Sequence, residues 1–196
     1  MKPIELSICV LHFNHWDLTK DCLASIDSQE IPCSYEKVLV DNGSNQPYPD
    51  PIEGWRIVRC EPNRGHIAGQ NICFEQARGE WVLFVANDVR LLPETLRILW
   101  DNKDDISQPF VWKTNREIDN CGMRWVWPGY GLNLTRPICI CHPIGFNGSC
   151  YLMQKTTWES VGGFDEQLKT SHEDVEFSLR AHRMGFRIRN IPKTHV

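Results

Sequence analysis

Two carboxylate positions in this sequence could do chemistry. Asp88 closes the run Leu83-Phe84-Val85-Ala86-Asn87-Asp88, at the end of an apolar strand pattern and ahead of a helix opened by Pro93. A carboxylate there could hold a divalent cation against two phosphates: oxygen ligands suit Mg²⁺ or Mn²⁺, and the cation would neutralise charge on a departing diphosphate. The alternative is a polar strand end that caps the turn before Pro93. The second position is Glu173-Asp174, at the head of a helical pattern. Neighbouring helix residues point about 100° apart, so the pair cannot both face one proton and must split its roles. Ser171 with Asp174 three residues on also fits a capping box, and carboxylates suit the positive start of a helix.

The elements that must position these groups follow from periodicity. Short apolar runs alternate with amphipathic stretches in the first half, which predicts parallel strands joined by helices. Strands are expected at Glu5–His12, Lys37–Val40, Arg56–Arg59 and Trp81–Val85, and helices at Trp16–Ser28, His66–Ala77 and Pro93–Asn102. Asp41-Asn42-Gly43-Ser44-Asn45 and Asn63-Arg64-Gly65 are turn-formers directly after strands, where open parallel sheets put their ligand-binding loops. Regular alternation stops from Asp104 to Gly145, which reads as an inserted loop or hairpin region containing Trp125, Trp127 and Tyr130. A strand at Gly148–Gln154, a short helix near Thr156–Val161, a helix from His172 to Met184 and a strand at Phe186–Ile191 complete the expected order.

At 196 residues and 41% hydrophobic content, one compact domain with a substantial core is expected. The net charge of -4 comes without a long run of one sign, which argues against nucleic acid as a partner. No run approaches the roughly 18 apolar residues that span a bilayer, and Met1-Lys2-Pro3-Ile4-Glu5 lacks the apolar stretch of a signal peptide, so a cytoplasmic location is expected. The nine cysteines form no regular framework and read mostly as reduced core thiols. Cys139-Ile140-Cys141-His142, flanked by Cys121 and Cys150, could supply zinc ligands, but neither paired C-x-x-C spacing nor a second histidine follows.

Taken in order, several stretches resemble family 2 glycosyltransferases of the GT-A fold, including the branch that contains many bacterial rhamnosyltransferases. The stretches are Ser7-Ile8-Cys9-Val10-Leu11-His12-Phe13-Asn14, Val38-Leu39-Val40-Asp41-Asn42-Gly43-Ser44, Asn63-Arg64-Gly65-His66-Ile67-Ala68-Gly69-Gln70-Asn71, Gly162-Gly163-Phe164-Asp165-Glu166 and Glu173-Asp174. The likeness implies an α/β, Rossmann-like single domain with a mostly parallel central sheet flanked by helices. Residues 1–103 would form the nucleotide-sugar-binding half and residues 104–196 the acceptor-binding half.

The resemblance also implies roles. Leu11, His12 and Asn14 would lie against the donor, Asp41 would recognise its base or ribose, and Asn63, Arg64, Gly65 and Asn71 would lie beside it. Asp41 could equally shape an Asx-turn, and Arg64 could be a solvated loop arginine. The family's D-x-D stands here as Ala86-Asn87-Asp88, with Asn87 against the donor and Asp88 on Mn²⁺ or Mg²⁺. His195 would reach the metal or diphosphate, as neutral imidazole can, or would be an exposed side chain near the chain end. Asp174 would be the base that takes the acceptor proton, with Glu173 and Trp127 on the acceptor, although the tryptophans could also be ordinary buried aromatics.

The expected activity is therefore inverting, metal-dependent transfer of a hexosyl group from a UDP-sugar, such as UDP-glucose or UDP-rhamnose, to a glycan hydroxyl. A nucleotidyltransferase that makes nucleotide-sugars would need a glycine-rich basic loop where Leu11-His12-Phe13-Asn14-His15-Trp16 stands. A non-catalytic sugar-binding domain draws support from the reduced D-x-D, against which Glu173-Asp174 is retained. The end of the chain directly after His195 leads us to expect one domain of a longer polypeptide.

Overall fold

The computed structural model describes residues 3–46, 48–126, 130–136, 145–169 and 171–195. In chain order the elements are β1 (Leu6–His12), α1 (Trp16–Asp27), β2 (Tyr35–Asp41), β3 (Arg56–Arg59), α2 (His66–Gln76), β4 (Trp81–Ala86), α3 (Thr95–Asp101), β5 (Ile106–Trp112), β6 (Ile118–Asn120), β7 (Met123–Val126), β8 (Tyr130–Asn133), β9 (Cys150–Gln154), α4 (Lys155–Val161), α5 (Glu173–Arg183) and β10 (Ile188–His195).

The main sheet runs β10-β5-β9-β4-β1-β2-β3, with β6 on the side of β5. β1 pairs in parallel with both β2 and β4, whereas β9 lies antiparallel between β4 and β5. The sheet is thus mostly parallel, as expected.

The apolar runs at residues 8–11 of β1, 38–40 of β2 and 82–86 of β4 follow from burial on both faces. Cys9, Leu11, Val38, Val40 and Phe84 point to one side, into a core shared with Phe74 of α2 and Phe177 of α5. Ile8, Val10, Leu39, Leu83 and Val85 point to the other, against Leu23 and Ile26 of α1 and Leu96 and Leu99 of α3. Because successive strand residues alternate faces, only continuous hydrophobicity fills both layers.

Two expectations are corrected. The stretch after Asp104 contains β5, a strand inside the main sheet, as well as the β7–β8 hairpin. Its Ser107 and Gln108 are fully buried, which breaks the apolar pattern. Their side chains are met by backbone donors: Ser107 Oγ accepts the Asp104 N–H at 2.8 Å, and Gln108 Oε1 accepts the Asn147 N–H at 2.5 Å. The Ser171–Asp174 capping box does not form. The helix is entered through His172 at φ +70° with no side-chain cap, and Ser171 Oγ instead lies 2.8 Å from His172 Nδ1. Asp174 is turned elsewhere, as described below.

Candidate active site

A cavity of about 160 Å³ opens at the carboxyl ends of β1 and β4, lined by Leu11, Phe13, Asn42, Asn63, His66, Ala86 and Asn87. The chain runs from β1 outward to β2 and β3, then returns to place β4 on the other side of β1, so the cleft stands at the topological switch point of the sheet. Open α/β sheets bind ligands there, because the loops on either side diverge.

The loops of this cleft are pinned to one another. Asn42 Oδ1 accepts the Arg64 N–H at 3.0 Å and its Nδ2 donates to the Gly65 carbonyl at 2.9 Å, which joins the β2 turn to the start of α2. Gly43, at φ +79°, allows this approach: a Cβ there would lie 2.6 Å from the Asn63 nitrogen. Asn14 Oδ1 accepts the N–H groups of Asn45 and Gln46, both at 3.1 Å.

Several expected donor contacts are committed inside the fold. Asp41 is fully buried. It accepts the Ser44 N–H at 2.9 Å and the Tyr48 hydroxyl at 2.9 Å, and pairs with the Arg59 guanidinium. Burial alone would raise its pKa, but the hydrogen bonds from Ser44 and Tyr48 and the Arg59 charge hold the carboxyl below the usual range. The Asx-turn is therefore formed. His12 is buried below the cleft, with Nδ1 2.7 Å from Thr19 Oγ1, and burial lowers its pKa against the pull of Asp41. Asn71 spends its amide on the 164–166 turn: Oδ1 accepts the Phe164 N–H at 2.9 Å, and Nδ2 donates to the Phe164 carbonyl and to Glu166 Oε1, each at 3.0 Å. Arg64 is exposed and does not line the cleft. Leu11, Asn63 and Asn87 do line it, and Gly65 begins α2 beside it.

The acidic pair meets the end of β4 through one turn. Asp174 Oδ2 accepts the Gly148 N–H at 3.0 Å, and the carbonyl of the next residue, Ser149, accepts the Ala86 N–H at 2.8 Å. Asn87 and exposed Asp88 follow directly. Glu173 is buried and accepts from Gln70 Nε2 at 2.8 Å, with His66 Nε2 3.5 Å away. The two carboxyls differ in kind. Burial raises the Asp174 pKa, the Glu173 charge raises it further, and the N–H groups of Gly148 and Val175 oppose this only in part. For Glu173 the burial penalty is outweighed by hydrogen bonds donated to its carboxylate, that of the Gln70 amide among them, so its pKa is lowered.

Among the described residues, no three His, Cys, Asp or Glu side chains gather closely enough to hold a metal alone. Asp88 offers an exposed carboxylate beside the Asn87 amide, a donor set that fits a hard cation whose other ligands come from phosphate and water. His195 ends β10, but its side chain lies outside the described part, as do Trp127, the side chains of Trp125 and Tyr130, and the Cys139–His142 cluster. Cys121 and Cys150 are buried free thiols. The sequence reading missed His66, Gln70 and Phe13. His66 and Gln70, one helical turn apart before an apolar stretch, were the available signal.

The three-layer sheet with a switch-point cleft is that of the GT-A glycosyltransferases. GalNAc-T7, solved with UDP, GalNAc and Mn²⁺, superposes with a TM-score of 0.80 at 16% identity, over 99% of this chain and 43% of that one. Staphylococcus aureus TarS does so with a TM-score of 0.71 at 20% identity, over 98% of this chain and 60% of that one. The chain belongs to glycosyl transferase family 2, whose family model matches residues 7–160. It is 32% identical over 129 residues to an uncharacterised Mycobacterium tuberculosis protein, covering 63% of this chain and 40% of that protein. The O-antigen biosynthesis protein RfbC of Myxococcus xanthus is 26% identical over 218 residues, covering 94% of this chain and 16% of its own length. An uncharacterised glycosyltransferase of Haemophilus influenzae is 25% identical, over 89% of this chain and 61% of its own length. The chain thus spans less than two thirds of each of these relatives. Among the described residues, no helix is long and apolar enough to cross a membrane.

Proposed function

We propose that this domain transfers a hexosyl group from a UDP-sugar, such as UDP-glucose or UDP-rhamnose, to a glycan hydroxyl, with inversion and with a divalent cation. The observation that carries this is the 147–149 turn, whose Gly148 N–H binds Asp174 and whose Ser149 carbonyl binds Ala86 at the end of β4, so that Asp174 and the strand end leading into Asn87-Asp88 are tied to neighbouring residues of one turn. Family membership supports glycosyl transfer. The UDP in GalNAc-T7 and TarS supports a uridine donor, and the Mn²⁺ in GalNAc-T7 and in the mannosyltransferase PcManGT, solved with GDP-Man, supports a cation.

In this reading the nucleoside lies along Leu11, Asn63 and the half-exposed ring of Phe13, within residues 1–103, and the acceptor is bound by residues 104–196. Asp88 would hold Mn²⁺ or Mg²⁺, with His195 reaching the metal or diphosphate and Asn87 against the donor, and the bound cation would supply charge to offset that of the leaving diphosphate. Asp174 takes the acceptor proton. The acceptor oxygen forms its bond to the anomeric carbon on the face opposite the diphosphate, while the anomeric carbon–oxygen bond breaks and its electron pair leaves with UDP. A raised pKa suits this base, since a more basic carboxylate accepts a proton more readily. Glu173 stays ionised and orients the acceptor.

The test is product formation from a panel of nucleotide-sugars with Mn²⁺, comparing wild type with Asp88→Ala and Asp174→Asn. Loss of metal-stimulated transfer in the first and of transfer alone in the second is expected. Equal turnover in all three proteins removes both assignments.

A further inference from the structure

His66 and Gln70 lie one turn apart on α2 and have no part in the reaction above. Gln70 is fully buried, and its amide joins three groups. Tyr151 donates its hydroxyl to Oε1 at 2.7 Å, while Nε2 donates to Glu173 Oε1 at 2.8 Å and lies 2.9 Å from His66 Nε2.

The amide's orientation follows from chemistry. An ionised Glu173 can only accept, so the NH₂ end of Gln70 must face it. The second N–H of that group is then left for His66, and a 2.9 Å contact requires His66 Nε2 to be an acceptor. The 3.5 Å separation between the ring and Glu173 is the longer of the two, so the amide contact decides the proton's position. A neutral imidazole that accepts at Nε2 carries its proton on Nδ1. His66 lines the cleft with Asn42 and Asn87, and its side chain is 45% exposed.

We infer that His66 is a donor-binding residue whose Nδ1–H, set by Gln70 and Glu173 behind the ring, hydrogen bonds to an oxygen of the nucleotide-sugar in the cleft. This rests on the glycosyltransferase reading. That oxygen belongs either to the diphosphate or to a sugar hydroxyl; both are acceptors that a single N–H can serve. The ring is a ligand contact, and Gln70 and Tyr151 are positioning residues that act through it.

The test has two arms. In the first, long-range nitrogen–proton NMR of the free protein locates the His66 proton, expected on Nδ1. In the second, UDP-, GDP- and dTDP-linked sugars and their parent diphosphates are titrated by calorimetry with Mn²⁺ into wild type and His66→Ala. Binding weaker by about tenfold is expected, the usual scale for losing one hydrogen bond to a charged or polar oxygen. A loss shared by the nucleoside diphosphate assigns the contact to phosphate; a loss confined to the nucleotide-sugar assigns it to a hydroxyl. A His66 proton on Nε2, or unchanged affinity in folded His66→Ala, overturns the inference while leaving glycosyl transfer standing. Failure of wild type to bind any of the panel overturns the glycosyltransferase reading itself, and this inference with it.

Discussion

Asp174 and Gly148 are joined by a hydrogen bond of 3.0 Å from the glycine N–H to the carboxylate, and the glycine also leaves room for the neighbouring acid. A Cβ at 148 would lie 3.1 Å from Glu173 Oε1 and 3.6 Å from Asp174 Oδ2. One turn therefore seats both members of the acidic pair at the end of β4.

Gly148→Ala should impair catalysis more than stability. The added methyl presses on a carboxylate that Gln70 holds in place, and overpacking of this kind costs about 1–3 kcal/mol. We expect kcat to drop at least about tenfold, since a small misplacement of catalytic groups is costly in rate. Urea melts alongside steady-state kinetics check this, and a variant with wild-type kcat contradicts it.

The pH profile should carry the mark of Asp174. A base must be ionised, so kcat rises with pH through its folded pKa, which burial and Glu173 place above the ordinary aspartate value of about 3.9. Asp174→Asn should leave donor affinity within about twofold and lower kcat by roughly 10²–10⁴. An acidic limb unchanged in the residual activity of the variant assigns that limb to another group.

Asp41→Asn should destabilise the fold by about 1.5–3 kcal/mol, the range for hydrogen bonds to a charged group. Its folded pKa is depressed, so the carboxylate's contribution is complete above the unfolded value near 3.9 and is lost as pH falls through the lower folded value. The stability gap between wild type and variant should accordingly be widest near neutrality and close in acid. Denaturation midpoints across that range measure it.

Asp88→Ala should change stability by less than about 0.5 kcal/mol, because the side chain is exposed. Mn²⁺ affinity in the presence of UDP should fall sharply, and chelation should abolish wild-type transfer. Calorimetry with and without UDP reads the first effect, and rescue of chelated enzyme by added Mn²⁺ reads the second.

Tyr151→Phe removes the hydroxyl that donates to Gln70 at 2.7 Å in a fully buried setting. An unsatisfied amide oxygen there costs about 1–3 kcal/mol. Because Gln70 also orients Glu173 and His66, the KM for donor should rise as well, and a stability loss with unaltered KM would confine the network to folding.

Read along the chain, the residues determined β1 to β4, α1, α2 and the loops that follow the strands. A sheet covered on both faces needs continuous apolar runs, and turn-formers must end them. The resemblance likewise reached the family and Asp88, Glu173 and Asp174 as candidates, since their order survives in local motifs. Only the tertiary structure decided the rest. β5 enters the sheet with Gln108 buried because the backbone N–H of Asn147, 39 residues away, satisfies it, which no local period records. Asp41 and Asn71 turned inward because Arg59 and Phe164 meet them there, while Gln70 found Glu173 103 residues away. A side chain's direction depends on what the folded chain sets beside it. Residue type limits the possible bonds, and packing selects among them.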